Sequence, residues 1–395
     1  MANLAVSIEN LNFKNPIFVS AGDPTLTAKL AIKSIETGVG AVVLKTCSKH
    51  EEEYIVTRAT RGFPDKFVEK GNFMNLSPGI AFKTPQEEAA MIKDIMPIAK
   101  KENCVVIASI GAPARAWDEW EEMAKLMEEA GADAIEIMMC CPVPMVPGLG
   151  AEGATEENLR DILKVIKKAV KIPLIMKTSE THSFFLRQFA RGIKDGGGDA
   201  WHVQAHVNTP VVDIDTGELM CPDVAGWGRP QRGIGVETAL VTSTLVEIPI
   251  LSTGGVYDWR SVVERLMAGA TLVGIHSEIT YKGFEILHKA IKGLEDFLDQ
   301  KGYKGVQDII GKAVPCIDPE WKKKWFVTHA VPKEKVYIAV DEKKCTGCGL
   351  CFNCIFDGIY LDKVTNKAKL DLEKCERCGR CVSLCPKDAI IMQLK

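Results

Sequence analysis

The stretch Ile135-Glu136-Ile137-Met138-Met139-Cys140-Cys141-Pro142-Val143-Pro144 decides the fold. An apolar, strand-like run ends abruptly in two thiols and a proline. A loop rich in proline and glycine, residues 145–153, leads from it into a helical pattern. A buried strand that delivers a thiol at its C-terminal end, beneath a loop, is how a barrel enzyme would present a catalytic acid. Seven other short runs resemble it, at 16–20, 41–45, 104–109, 173–177, 199–205, 248–253 and 271–276, and the run at 134–139 is fourth in order. They are rich in Val and Ile and apolar on both faces, as strands between a core and a helical layer should be. Amphipathic stretches such as 118–130, 156–169 and 256–267 separate them. Glycines close several of the helices: Gly38, Gly131, Gly196 to Gly198 and Gly269. This alternation predicts a (β/α)8 TIM barrel over residues 1–310, preceded by a short hairpin or cap at 4–15. A doubly wound sheet is the alternative, but Ser20-Ala21-Gly22-Asp23 is a poor glycine-rich turn for it.

The chain has 395 residues, too many for one ordinary domain and enough for a large domain with a small one. Apolar residues make up 46%, so a sizeable core is possible, and a net charge of −3 gives no hint of nucleic-acid binding. The first ten residues lack the basic segment and apolar run of a signal peptide, which predicts a cytoplasmic protein. Residues 134–151 are nearly uncharged, yet Glu136, Pro142, Pro144 and Pro147 mark them as strand plus loop, not a membrane span. Gly148-Leu149-Gly150-Ala151-Glu152-Gly153 fits G-x-G-x-x-G, but it stands too far from the strand for a dinucleotide turn; it suits a glycine hinge in a lid.

Eight of the fourteen cysteines fall between residues 345 and 385. In a cytoplasmic chain such crowding means metal. Residues 311–335, with Pro315, Pro319, Trp321, Trp325 and Pro332, read as a connector into a domain at 336–395. There Cys375-x2-Cys378-x2-Cys381-x3-Cys385-Pro386 is the bacterial ferredoxin run, whose thiolates wrap a [4Fe–4S] cube. Cys345-x2-Cys348-x2-Cys351-x2-Cys354 is a second run, one residue shorter at its last interval. The fourth cysteine of each run serves the other cube in two-cluster ferredoxins. Cys345, Cys348, Cys351 and Cys385 are therefore assigned to one cluster, and Cys375, Cys378, Cys381 and Cys354 to the second. Two cubes move single electrons, so the barrel should hold a partner redox centre. Ser252-Thr253-Gly254-Gly255 and Gly274-Ile275-His276-Ser277, at the ends of the last two strand runs, offer bare backbone N–H groups for a phosphate, and Gly233-Ile234-Gly235 adds a third glycine turn. FMN carries one phosphate and exchanges both hydride and single electrons. A thiol of pKa ~8.5 can deliver the proton that accompanies hydride in reducing a C=C bond.

Asn15-Pro16 into Ala21-Gly22, Leu44-Lys45-Thr46, Met74-Asn75, Ile135-Glu136-Ile137 into Cys141-Pro142, Lys177, Thr253-Gly254-Gly255 and His276-Ser277 resemble the dihydroorotate dehydrogenase family, over almost the whole chain. The likeness is greatest to the FMN and iron–sulfur part of dihydropyrimidine dehydrogenases. The resemblance implies that Ala21 and Gly22 lie beside the flavin ring and that Lys45 and Thr46 contact its polar edge. It implies that Lys177 stabilises the reduced ring, that Gly235, Thr253, Gly254, Gly255, His276 and Ser277 hold the phosphate side, that Asn75 faces the substrate and that Cys141 is the general acid/base. Cys140 reads as the packed thiol of the pair. Met138 stands where the family normally has an asparagine, and an ungapped alignment puts Ala205-His206 where it has an asparagine–threonine pair. His182, His202 and His206 lie near strand ends, and His206 is the candidate substrate contact among them. The expected substrate is a small unsaturated organic compound, a pyrimidine or another. No nicotinamide domain is evident, so the expected electron donor is a separate protein, either an NAD(P)H-dependent flavoprotein subunit or a ferredoxin. The family also implies a homo- or hetero-oligomer. A barrel that only relays electrons, without substrate turnover, is the competing expectation.

Overall fold

The structure, a computed structural model, describes residues 1–50, 83–141, 143, 146–179, 185–204, 207–208, 215–217, 225–226, 228–316 and 333–395. The chain divides into two compact units, Met1–Cys316 and Ile317–Lys395.

The alternating N-terminal residues form an antiparallel hairpin of β1 (Val6–Ile8) and β2 (Leu11–Phe13), with Val6 opposite Phe13. The alternation of short apolar strands and amphipathic helices follows: β3 (Ile17–Val19), α1 (Ala28–Ile35), β4 (Ala41–Val43), α2 (Pro85–Lys101), β5 (Val105–Ile110), α3 (Trp117–Ala130), β6 (Ala134–Met138), α4 (Glu156–Ala169), β7 (Leu174–Ser179), α5 (Leu186–Gly196) and β8 (Ala200–Gln204). A two-residue pair, β9 (Val207–Asn208) with β10 (Ala225–Gly226), precedes α6 (Arg232–Ser243), β11 (Ile250–Thr253), α7 (Trp259–Met267), β12 (Leu272–Ile275), α8 (Ser277–Lys282) and α9 (Glu285–Lys301). The strands close in the order β11-β12-β3-β4-β5-β6-β7-β8, every pair parallel. The expected TIM barrel is therefore present, and β6 is its fourth strand.

Local signals explain the helix ends. Thr84 and Glu87 form a reciprocal capping box at α2, Asp258 and Ser261 do so at α7, and Thr155 caps α4. Gly131 and Gly197 end α3 and α5 in the left-handed conformation that only glycine adopts without strain. Residues of β3 to β7 are buried on both faces, as the sequence pattern requires. Trp120 and Trp201 are wholly buried, and their indole N–H groups donate to Pro113 O (3.0 Å) and Thr178 Oγ1 (2.8 Å), so neither burial leaves a donor unmet. The barrel unit runs on to Cys316 because Gly311 N and Ala313 N donate back to Leu266 O and Met267 O at the end of α7. Trp321 and Trp325 of the expected connector lie outside the described residues.

The second unit is an internal repeat. β13 (Val336–Val340) pairs with β16 (Ile390–Leu394) and β14 (Ile359–Asp362) with β15 (Lys367–Leu370), all antiparallel. The backbone repeats with them. Positive φ occurs at Gly347 and Arg377, at Gly349 and Gly379, and at Asp357 and Asp388, each pair at matching places in the two cysteine runs. The one difference lies between the third and fourth cysteines. The long run makes a turn of α-helix there, α10 (Arg380–Leu384), whereas the short run makes a 3-10 turn, Leu350–Phe352. A 3-10 turn uses 3.0 residues against 3.6. That accounts for the interval that is one residue shorter. Among the described residues, no helix is long and apolar enough to cross a membrane.

Candidate active site

The inward side chains near the C-terminal ends of the barrel strands form a buried polar network. Glu136 on β6 is wholly buried. It accepts from Lys177 Nζ on β7 (3.1 Å), Ser109 Oγ on β5 (3.2 Å) and His202 Nδ1 on β8 (2.5 Å). A carboxylate only accepts, so Nδ1 carries the histidine proton, and the neutral ring takes the Thr253 hydroxyl proton at Nε2 (2.9 Å). Burial lowers the pKa of His202, which keeps the ring neutral. Ser109 spends its proton on Glu136, so the Thr46 hydroxyl donates to Ser109 (2.9 Å) and turns only lone pairs to any other partner. Burial works to raise the pKa of Glu136, but Lys177 and His202 outweigh it and hold the carboxyl near 2. The converse holds for Lys177. Burial opposes its charge, and Glu136 more than restores it, so the ammonium is a fixed cation.

Beside this network stand the two thiols. Cys140 is wholly buried and its Sγ lies 3.6 Å from Cys141 Sγ and 3.7 Å from Gln204 Oε1. Donation from Cys140 favours the Cys141 thiolate; burial opposes it, and the charges of Lys177 and Lys45 add to the lowering. Burial and the neighbouring sulfur push Cys140 upward, so of the two thiols Cys141 is the one that gives up its proton more readily. Lys45 is itself buried, which pulls it down to about 8. Cys140, which the sequence reads as the packed thiol, is wholly buried, and Cys141 beside it is partly exposed.

A second feature lies next to the thiols. A cavity of about 440 Å³, open to solvent, is lined by Ser20 and Ala21 after β3, by Thr253 at the end of β11 with Gly254, Gly255 and Val256 after it, and by Gly274, His276 and Ser277 at the end of β12. Gly228 and Gln204 complete it. Gly254 and Gly255 have φ of 88° and 72°. A Cβ on Gly255 would sit 2.3 Å from Arg232 N, so the turn presses directly on the start of α6. The His276 ring packs against Gly22, where a Cβ would come within 2.3 Å of its Nε2. Glycine-turn N–H groups, hydroxyls and nearby buried cations fit a phosphorylated, electron-accepting ring system.

The structure thus brings together Ala21, Gly22, Lys45, Thr46, Cys141, Lys177, Thr253, Gly254, Gly255, His276 and Ser277. Gly235 stands apart from the cavity lining, with a guanidinium, that of Arg265, where its side chain would be. Asn75 and His206 lie outside the described residues, as do Ala205 and His182. His202 is no substrate contact; it is sealed in the core between Glu136 and Thr253. Met138 is packed with Cys140, Val143, Val146 and Leu149 and so anchors the loop above it. That loop is fastened at both ends: Ala151 N donates to Cys141 O and Ala114 N to Gly148 O, each at 2.8 Å. The expected hinge at 148–153 is a tied turn, with Glu152 accepting from Gly148 N (2.9 Å). Sequence reasoning missed Glu136, Ser109, Gln204 and Arg265. A lone acid in an apolar strand was the available signal for Glu136.

In the second unit the cysteines gather around two cavities. Cys345, Cys348, Cys351 and Cys385 line one. Cys354, Cys375, Cys378 and Cys381 line the other, and Cys351 lines both. Backbone amides of Ala368 and Ala389 donate to Cys345 Sγ (3.4 Å) and Cys385 Sγ (3.2 Å), which orients these two sulfurs. Each cavity offers at least four sulfurs in apolar surroundings, a donor set suited to an iron–sulfur cube.

A barrel with a thiol, buried cations and an anion cradle at its strand ends, joined to a ferredoxin-like unit, defines an iron–sulfur flavoprotein class. The model of dihydroorotate dehydrogenase matches residues 3–298 and that of a 4Fe-4S dicluster domain matches residues 337–386. The chain belongs to the dihydroorotate dehydrogenase family. It is an oxidoreductase acting on CH–CH bonds and uses FMN and [4Fe–4S] chemistry. It is 25% identical over 376 residues to NAD-dependent dihydropyrimidine dehydrogenase subunit PreA of Escherichia coli K12, covering 90% of this chain and 86% of that one. To the catalytic subunit of dihydroorotate dehydrogenase B (NAD(+)) it is 27% identical over 318 residues in Pyrococcus abyssi, covering 79% of this chain and 99% of the relative. The Methanosarcina acetivorans counterpart is 28% identical over 312 residues, covering 77% and 94%.

Proposed function

We propose that this protein reduces a conjugated C=C bond of a small organic molecule, or forms it in reverse, with Cys141 as proton donor and acceptor. The observation that carries this reading is the placement of Cys141. It stands at the mouth of the fourth barrel strand, beside a buried thiol and two buried lysines that favour its thiolate. FMN, when bound, supplies hydride exchange at carbon and single-electron exchange with the clusters. The protein's residues do the rest. Gly254, Gly255, His276 and Ser277 hold the phosphate side, with Ala21, Gly22 and Thr253 alongside. Lys45 and the lone pairs of Thr46 face the polar edge of the ring, and Lys177, fixed by Glu136, offers a cation to negative charge. Cys141 Sγ gives a proton to one carbon while hydride goes to its neighbour, and the nearby cations stabilise the thiolate that remains. Asn75 contacts the substrate.

Two [4Fe–4S] clusters carry electrons to or from the barrel. Cys345, Cys348, Cys351 and Cys385 ligate one; Cys375, Cys378, Cys381 and Cys354 ligate the other. Their grouping around two cavities supports this pairing. The relatives are named as subunits of NAD-dependent enzymes. That supports a separate electron-donor protein, a NAD(P)H-dependent flavoprotein subunit or a ferredoxin, and a hetero-oligomer. For the substrate, a pyrimidine ring is the first candidate. Barrel strand β8 ends at Gln204, and an Asn-Thr pair stands at Asn208-Thr209, beginning in β9. We read the family's pair there in place of Ala205-His206. Met138 favours a second reading, a less polar unsaturated compound, because its buried thioether replaces an amide.

The test is to photoreduce the holoprotein and mix it anaerobically with uracil, thymine, orotate and non-pyrimidine enoates, following flavin reoxidation. One compound should reoxidise it rapidly, and Cys141→Ala should slow that step by ~10²–10⁴ while leaving the flavin spectrum intact. An unchanged rate would refute the acid role. No reoxidation by any compound, with clusters still exchanging electrons with the flavin, would favour a barrel that only relays electrons.

A further inference from the structure

Arg265, on α7, is fully buried. Its Nη1 donates to Ser252 Oγ (2.8 Å), and its Nη2 to the Arg232 carbonyl (3.3 Å) and the Gly254 carbonyl. All three acceptors are neutral, and Nε has no acceptor among the described residues. Its sequence neighbour Glu264 is engaged by Arg232 in a half-exposed pair. No carboxylate among the described residues lies within ion-pair distance of Arg265. Room for the guanidinium exists only because residue 235 is glycine: a Cβ there would sit 2.0 Å from both Nη atoms. A guanidinium stays protonated and is costly to bury without a counter-charge. This one lies directly behind the Gly254-Gly255 turn, whose other side lines the cavity with His276 and Ser277.

We infer that Arg265 is a positioning residue whose buried charge is completed by the phosphate of FMN. It grips the Gly254 carbonyl, which sets the turn, and it places a fixed positive charge behind the cradle that the phosphate enters. Gly235 acts through Arg265, by keeping its space open, and not by touching the phosphate. This inference rests on the FMN reading of the cavity.

The test uses the full chain with clusters intact, stripped of flavin, and titrates FMN and riboflavin by fluorescence quenching. Riboflavin lacks the phosphate, so it reports everything except the charge. Arg265→Met should weaken FMN at least about tenfold, near 1.4 kcal/mol, and leave riboflavin affinity unchanged. Gly235→Ala, which displaces the guanidinium from a position outside the cavity lining, should act in the same sense. Arg265→Lys keeps the charge and should retain most of the preference for FMN. Equal losses for both flavins would mark Arg265 as structural only and overturn the inference, as would an unchanged FMN affinity. Should Arg265→Met not fold, Gly235→Ala and Arg265→Lys carry the comparison. A wild-type protein with no preference for FMN over riboflavin would overturn the phosphate reading of the cavity itself, a result distinct from a preference that survives in the variants.

Discussion

Glu136 is the hub on which the charges of the site turn. It is the one acid in β6, and it faces a lysine, a serine and a histidine from three other strands. Removing one partner from a buried ion pair leaves the other uncompensated. Glu136→Gln is expected to destabilise the barrel by about 3–5 kcal/mol in denaturant titrations at neutral pH. The pH dependence has a definite sign. The folded pKa lies near 2, below the ordinary 4.5, so the stabilisation is present above about 4.5 and fades as pH falls towards 2. The gap between wild type and variant should therefore close across that window, and a constant gap would show that the carboxylate is not its source. Glu136 was visible in the sequence as a charge in an apolar strand. Its partners were not, because Ser109, Lys177 and His202 come from strands separated by 27, 41 and 66 positions from it.

Among the elements, the loop after β6 shows how glycine can serve tightness instead of motion. Gly150 has φ of 66°, and a Cβ on it would lie 2.2 Å from the Cys141 carbonyl. Gly197 has a similar φ, 80°, with nothing within 4 Å of a Cβ. Both glycines converted to alanine pay the left-handed cost of about 1–2 kcal/mol. Only Gly150→Ala also forces the backbone of the reactive cysteine to shift. Thermal denaturation should show the larger loss for Gly150→Ala, and turnover should fall in that variant alone. Equal behaviour of the two would mean that the loop accommodates the methyl group. The glycine pattern was legible in the sequence, but a hinge and a tied turn use the same residue, and only the contacts at 114, 141 and 148 separate them.

At the scale of the whole molecule, the protein couples a large barrel to a small repeat built around sulfur. The second unit has a modest apolar cluster, and most of its cysteines pack against it. A unit of this kind depends on its metal for stability. Iron analysis should give about eight atoms per chain, from two four-iron cubes. Cys354→Ala should lower that to about four if the cavity it lines is a cluster cage, and an unchanged iron content would remove Cys354 from the ligand set. Cys385→Ala, in the long run, should deplete the cage formed by the short run, since the fourth cysteines line the cavity of the opposite run.

The strand count, the helix caps and the cysteine spacing follow from periodicity and local backbone chemistry, which operate over a few residues. For that reason the barrel, the ferredoxin-like unit and the thiol at the end of β6 could be read from the amino-acid sequence by itself. Closure of the barrel gathered residues of β5, β7, β8 and β11 around Glu136, and it put Arg265 behind a turn whose glycines were read only as a cradle. Charge complementarity of that sort depends on distance through the core, not along the chain. Tertiary structure alone decided it, because burial sets both the cost of a charge and the partners within reach to offset it.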